Sequence, residues 1–446
     1  MDQTRRRVAV VGAGPSGLFA AQSLVKQGEV PVSVDLFDRL PTPYGLLRYG
    51  VAPDHPSIKS VATALAKVFD SDGIRFRGNV TFGQDVSREE LLAAYDAVVY
   101  AVGASEDMKM GVPGEDLPGS YSARQFVEWY SGHPDARSFD LGGLRGAAAI
   151  GVGNVAVDVA RILAKKPETL DVTDMPVVVL DELRRHAVED VWMIGRRGPQ
   201  HAAFTTKELR ELLEVPGVAV DINAECLVGI EESGLDRRAK ANLEVLRGLA
   251  HRHVEDPHCR LHLRFWRRPV ALVGTTAVTG LTLESTYLDE GGSVRGTGRS
   301  ETIPVQLVLR SIGYRGTPLV DLPFDTKRAV IPNDQGRVCD ADGTTLPREY
   351  VVGWAKRGPT GVIGTNKSDA AQTVDKLVED LVQRPAAGDV TRLDLDAALA
   401  ARGRRASSFE DWLRIDAEET RRGGALGRQR TKVSDWAELR ALCGMG

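Results

Sequence analysis

Two glycine turns, and the residues set after each, carry most of the chemistry this sequence can do. The first is Gly12-Ala13-Gly14-Pro15-Ser16-Gly17, with Asp38 placed 21 residues after Gly17. Glycines at this spacing allow a tight turn and bring backbone N–H groups close to a pyrophosphate, whose charge a helix N-terminus favours. A carboxylate at that distance can accept hydrogen bonds from ribose hydroxyls. The second turn is Gly151-Val152-Gly153-Asn154-Val155-Ala156, in which Ala156 replaces the third glycine, a swap the pattern tolerates. Behind this turn stands no acid but Gly195-Arg196-Arg197-Gly198. Paired guanidinium groups there suit the 2′-phosphate of NADP, which a carboxylate would repel. The plainer reading of that pair is two solvated arginines. An acid behind one turn and arginines behind the other point to two dinucleotides in one chain, FAD at the first and NADP(H) at the second.

A third Gly-rich turn, 358–364, stands immediately before an apolar-periodic run. Its Gly361-Val362-Ile363 amides, at the start of a helix, can take up the negative charge that reduced flavin carries near N1 and O2. Glycine at 361 also leaves room for a nicotinamide ring to approach.

The elements needed to hold these turns are legible around them. An apolar strand at 8–11 enters the first turn, a helix-like run covers 18–25, Gly28 stops it, and a strand at 32–37 ends on Asp38. The second turn follows a strand at 147–150 and opens a helix at 157–164; its next strand, 191–194, arrives late because 165–189 intervene. Two such units give an α/β chain of two Rossmann-like dinucleotide-binding domains, the NADP domain inserted into the FAD domain. The crossings should fall near 103–113, after a strand at 97–102, and near 311–318, after a strand at 305–310. The expected limits are 1–105 for the first part of the FAD domain, 106–316 for the NADP domain, 317–385 for the second part, and 386–446 for a C-terminal extension. Within 317–385, residues 350–354 read as a strand and 368–381 as a helix. The extension shows no chemistry of its own and reads as a docking appendage.

Composition excludes several classes. The 446 residues are 42% hydrophobic and 26% charged, with a formal net charge of −4, which fits neither a disordered chain nor a nucleic-acid binder. Its four cysteines, Cys226, Cys259, Cys339 and Cys443, form no CxxC pair, which excludes a local dithiol, cluster or zinc ribbon. No apolar run is long enough to cross a bilayer and no secretory signal is visible, so the expectation is a cytoplasmic protein without membrane insertion. Locally the balance reverses: 236–268 holds nine Lys or Arg against four acids.

Five longer segments carry a family resemblance: LPTPYGLLRYGVAPDHPSIK (40–59), VPGEDLPGSYSA (112–123), GVGNVAVDVARIL (151–163), GRRGPQHAAFTTKELREL (195–212) and GWAKRGPTGVIGTNKSDAAQTV (353–374). Through them the chain, over roughly 6–385, resembles the adrenodoxin reductase-type ferredoxin–NADP(H) reductases in their bacterial form. The resemblance implies an FAD-dependent oxidoreductase that passes hydride from NADPH to FAD and then single electrons to a ferredoxin-type iron–sulfur protein. It implies FAD contacts at Ser16, Asp38, Leu46, Val80, Trp354 and Gly361 to Ile363, beside the glycines of the first turn. It implies NADP contacts at Asn154, Val155, Ala156, Val157, Arg196, Arg197, Glu208 and Gly361. His55, within Pro53-Asp54-His55-Pro56, would lie close to the flavin, with Asp158 and Glu211 as matching carboxylates of the nucleotide domain; the plainer reading of His55 is a turn histidine bonded to backbone. Arg237, Arg238 and Lys240 match a region the family uses for docking an acidic ferredoxin. The pattern departs at Met108, where relatives carry an arginine that helps hold the nucleotide; Lys109 is adjacent, but an ammonium does not reproduce a guanidinium fork. A flavin disulfide reductase and the flavin-bearing subunit of glutamate synthase each need cysteines absent here. A flavin-dependent monooxygenase and an NADPH-binding redox sensor are the alternatives.

Overall fold

The computed structural model describes residues 5–249, 254–361, 363–384 and 392–445. The chain divides into two units, Met1–Glu106 with Tyr314–Gly446, and Asp107–Gly313.

The first unit is built on a seven-stranded sheet. Arg6–Val11 lies between Val32–Phe37 and Ala97–Tyr100, with Ile74–Arg77 outside Val32–Phe37, and all of these pairings are parallel. The strand Thr345–Val351 adds in parallel to Ala97–Tyr100, and the short strands Arg337–Cys339 and Asn333–Asp334 continue antiparallel to the edge. The near-continuous apolar runs of the central strands reflect burial on both faces. One face packs on the helices Pro15–Lys26 and Ile363–Gln383, which contribute Leu18, Leu24, Leu377 and Leu381 to one core.

The second unit has a six-stranded parallel sheet in the order Ser120–Ser122, Leu307–Arg310, Gly146–Ile150, Asp190–Ile194, Cys259–Arg264, Val218–Ile222. The helices Asn154–Ala164 and Thr206–Leu213 bury Val159, Ile162, Leu209 and Leu212 against it. A separate antiparallel sheet is formed by Arg267–Val273, Gly280–Leu288 and Val294–Ile303. The interval 165–189 holds a turn of 3-10 helix, Pro167–Leu170, and a helix, Val177–Leu183, whose Leu180 and Leu183 pack into the same core.

Three expectations are corrected. Residues 350–354 are not one strand: it runs Thr345–Val351, and Gly353 at φ 70° turns the chain so that Trp354 opens a short helix, Trp354–Arg357. The following helix begins at Ile363, not 368. The C-terminal extension, read as a docking appendage, is part of the first unit's core, in which Trp412, Ile415, Val433 and Leu439 are buried. No helix among the described residues is long and apolar enough to cross a membrane.

Candidate functional site

In the first unit, the strand Arg6–Val11 passes through the glycine turn into Pro15–Lys26. Gly12 sits at φ 110°, and a Cβ there would come within 2.5 Å of the Ala101 carbonyl oxygen, so only glycine lets the turn close over the sheet. Gly14 begins the helix with no side chain bonded to its first-turn amides and no acid in that turn, leaving the positive end open to an anion. Asp38 has a structural task in the turn. Its Oδ2 accepts the Ala13 N–H at 2.9 Å and its Oδ1 the Leu40 N–H at 2.9 Å, so the carboxylate ties the turn to the end of the second strand. Burial pushes its carboxyl above the ordinary value, against those two amides. Val80 is buried, with its N–H on the Asp38 carbonyl at 2.9 Å, whereas Leu46 is 45% exposed.

The return segment meets this turn. Gly353 approaches Ser16 so closely that a Cβ at 353 would lie 2.2 Å from the Ser16 Oγ, and its N–H donates to Asp369 at 2.6 Å. Trp354 Nε1 is buried with no hydrogen-bond partner among the described residues. A buried donor left unsatisfied costs about 1–3 kcal/mol, and a phosphate or ribose oxygen of FAD beside Ser16 and Gly14 would satisfy it. The residues present therefore fit FAD. Arg357 staples the next turn, bonding the Thr360 carbonyl and, at 2.5 Å, Asn366 Oδ1; Gly361 in that turn is exposed at φ 84°. Val362 lies outside the described residues, and Ile363 begins the helix Ile363–Gln383. His55 is buried, precedes the helix Pro56–Ala66 and donates its N–H to the Ala52 carbonyl at 3.0 Å.

In the second unit the turn is repeated. Gly151 sits at φ 132°, and a Cβ there would meet the Ser311 carbonyl oxygen at 2.2 Å. The helix Asn154–Ala164 again begins on a glycine with no side-chain cap. Asn154 Oδ1 accepts the Thr205 N–H at 2.8 Å, tying this turn to the start of Thr206–Leu213. Ala156 and Val157 are fully buried, and the Val157 N–H is bonded to the Gly153 carbonyl, so neither offers surface to a ligand as the exposed arginines do. Arg196 and Arg197 follow the strand Asp190–Ile194 with exposed side chains and fixed carbonyls: Arg196 O accepts from Thr286 Oγ1 at 2.9 Å and Arg197 O from the Trp266 N–H at 3.2 Å. The strand end thus presents two exposed guanidinium groups and no carboxylate.

Sequence reasoning missed two features here. A cavity of about 400 Å³ has Gln200, Cys226, Trp266, Arg267 and the carboxylates Glu225 and Glu231 among its lining, and Gln200 Oε1 is a buried acceptor without a partner among the described residues. The other is Arg161, fully buried on Asn154–Ala164, which donates to Asp158 at 2.9 Å and lies 3.5 Å from Glu208. Asp158 and Glu208 are thus brought together around one guanidinium. Glu211, one turn on, is partly exposed and 3.6 Å from Lys207, so the two glutamates on one helix stand in different environments. Met108 is exposed, and Lys109 lies 3.2 Å from Asp116. The basic surplus of 236–268 shrinks, because Arg247, Arg264, Arg267 and Arg268 pair with Glu232, Asp221, Glu301 and Glu284, all outside that window. Arg237, Arg238 and Lys240 are exposed at the start of the helix Arg237–Leu249, with Arg238 3.8 Å from Asp236 and donating to the Ala203 carbonyl at 3.3 Å.

The pyridine nucleotide-disulphide oxidoreductase family model matches residues 6–226. NADPH-ferredoxin reductase FprA of Mycobacterium tuberculosis is 45% identical over 451 residues, covering 97% of this chain and 98% of that protein. Mitochondrial NADPH:adrenodoxin oxidoreductase of Rattus norvegicus is 41% identical over 464 residues, covering 99% and 92%. The chain belongs to the adrenodoxin reductase-type ferredoxin–NADP(H) reductase family. The structure of M. tuberculosis FprA in complex with NADPH matches it with a TM-score of 0.92 at 43% identity, over 98% of this chain and 99% of that one. The match at this coverage takes in most of the extension beyond residue 385, which the motifs alone had left outside the family. The four cysteines are all free, and burial pushes the thiols of Cys226 and Cys443 up to about 11 and that of Cys259 up to about 12.

Proposed function

We propose that the chain is an FAD-dependent ferredoxin–NADP(+) reductase, the FAD held by the first unit and NADP(H) by the second. The observation that carries this is the pairing of two glycine cradles with opposite charge after them, Asp38 behind one and Arg196–Arg197 behind the other. Bound FAD supplies the exchange of a two-electron hydride from NADPH for single electrons to an iron–sulfur carrier.

The chain's own residues bind and orient. Gly12 to Gly17 and Ser16 receive the FAD pyrophosphate, Trp354 Nε1 donates into the same place, and Asp38 holds the turn while facing the ribose. Arg196 and Arg197 clamp the 2′-phosphate, the open amides after Gly153 take the NADP pyrophosphate, and the cavity with Gln200 suits the adenine, whose amino group is a donor. Arg161 neutralises Asp158 and Glu208, which lets Glu208 serve the phosphate–ribose region without repelling it. His55 supports the flavin pocket, and Asp158 and Glu211 organise the nicotinamide side; hydride transfer itself needs no general base. Exposed Arg237, Arg238 and Lys240 offer a docking point for an acidic ferredoxin. Unbridged cysteines suit a reducing, cytoplasmic setting.

The test is anaerobic. The purified chain should be yellow, be bleached by NADPH, and reduce a ferredoxin in step with NADPH oxidation. A colourless chain that refuses FAD, or a yellow one NADPH does not bleach, refutes the proposal.

A further inference from the structure

The extension beyond residue 392 packs on the two loops that border the first cradle. One loop is 40–49, which is bonded to the glycine turn through the Tyr44 N–H and the Ala13 carbonyl at 2.9 Å. Tyr44 sits at φ 85°, a conformation a non-glycine residue holds only when its surroundings impose it. Part of those surroundings comes from the extension: besides Phe69 at 6.5 Å, Trp412 packs edge-on to the Tyr44 ring at 5.7 Å, and the Arg48 guanidinium lies 4.9 Å over the Trp412 ring. Arg48 bonds both carboxylate oxygens of Glu419, at 3.0 Å through Nη1, with side-chain exposures of only 4% and 0%. Glu419 also accepts the Val433 N–H at 2.9 Å and lies 3.3 Å from Arg430, while Lys432 Nζ donates to the Arg48 carbonyl at 2.7 Å. The other loop is 77–80. There Gly78 and Ser407 exchange backbone hydrogen bonds at 3.0 and 2.8 Å, and Asn79 Nδ2 donates to the Arg405 carbonyl at 3.1 Å, next to Val80.

We propose that residues 405–433 form a clamp that fixes both loops in the conformation that receives FAD, with Glu419 as its positioning residue. The proposal rests on the FAD reading of the first unit. A four-residue helix, Leu46–Tyr49, cannot hold itself in water, so the strained Tyr44 and the Ala13 bond it makes depend on Arg48 being anchored. Among the described residues Glu419 is the one carboxylate that anchors it, and without that charge Arg48 is a buried cation whose best escape is to move the loop.

Two full-length variants test this, Glu419→Gln and the pair Arg48→Met with Glu419→Met. FAD affinity is read by fluorescence on reconstituting the apoprotein, bound-flavin conformation by visible circular dichroism, and NADP(+) affinity by calorimetry. Glu419→Gln should weaken FAD binding about tenfold or more, as is usual for coupled sites, alter the flavin dichroism and leave NADP(+) affinity within about twofold. The Met pair leaves no unpaired Arg48 cation in the core, so it should regain part of the apoprotein melting temperature that Glu419→Gln loses, yet keep the weakened FAD affinity. Wild-type FAD affinity in either variant would overturn the clamp. A wild-type chain that takes no FAD would instead sink the parent reading.

Discussion

Replacing Arg196 and Arg197 together with alanine should abolish most of the preference for NADPH over NADH. The turn itself should survive, because its anchors are backbone carbonyls bonded to Thr286 and Trp266, which alanine retains. The loss is two guanidinium groups and their charge-assisted bonds to the 2′-phosphate, each contributing about 1.5–3 kcal/mol. Both side chains are exposed, so solvent screening favours the lower end. Two at about 1.5 kcal/mol give ~3 kcal/mol, a loss of about 150-fold in kcat/KM for NADPH. NADH lacks the phosphate, so its kcat/KM should change by no more than about twofold, and the melting temperature by no more than about 2 °C. Steady-state reduction of a small artificial acceptor with each nucleotide measures the ratio. A variant that keeps the wild-type ratio, or loses activity equally with both nucleotides, would refute the assignment.

Other consequences rest on single observations. Trp354→Phe should weaken FAD binding about five- to tenfold while leaving apoprotein melting unchanged, since its Nε1 bonds nothing within the described residues; an unchanged FAD affinity would remove it from the cradle. Ferredoxin reduction should slow as salt rises while reduction of a small acceptor holds steady; equal sensitivity would deny Arg237, Arg238 and Lys240 a docking role. Stability should fall above about pH 10. Burial raises Tyr44 to about 12 and also pushes up Tyr95, Tyr100 and Tyr350, which stand against Asp35, Glu349 and Asp380. With folded values above unfolded ones, their contribution is whole below about pH 10 and lost as pH climbs past it, because the unfolded chain releases protons first. Tyrosinate absorbance that rose well before the loss of circular dichroism would contradict this.

Legibility in the sequence was confined to features local in the chain. Asp38 sits within one βαβ span of the first glycine turn and the arginine pair within one of the second, so each pairing is local in the chain. The misses are non-local. Arg161 reads as one polar residue on an amphipathic helix; of the two carboxylates around it, Asp158 sits on the same helix, and only Glu208 comes from a different one. The basic stretch was overcounted because its counter-ions lie on neighbouring strands or loops outside the window. The late helix starts at Ile363 although Gly364, Thr365 and Asn366 are poor helix formers; Arg357, bonded to Asn366, stabilises what propensity does not. Trp266, which lines the cavity, sits at φ 56°, a conformation no spacing rule announces.

The strand Thr345–Val351 lies inside the first sheet, not at its rim, paired with Ala97–Tyr100. A ribosome delivers those two partners far apart in time, with the whole of Asp107–Gly313 synthesised between them. The inserted unit has every strand of its own sheet in hand once Leu307–Arg310 has emerged, whereas the surrounding one must wait, with one flank of Ala97–Tyr100 unpaired. Nascent chains should therefore acquire a nucleotide grip before they can turn yellow.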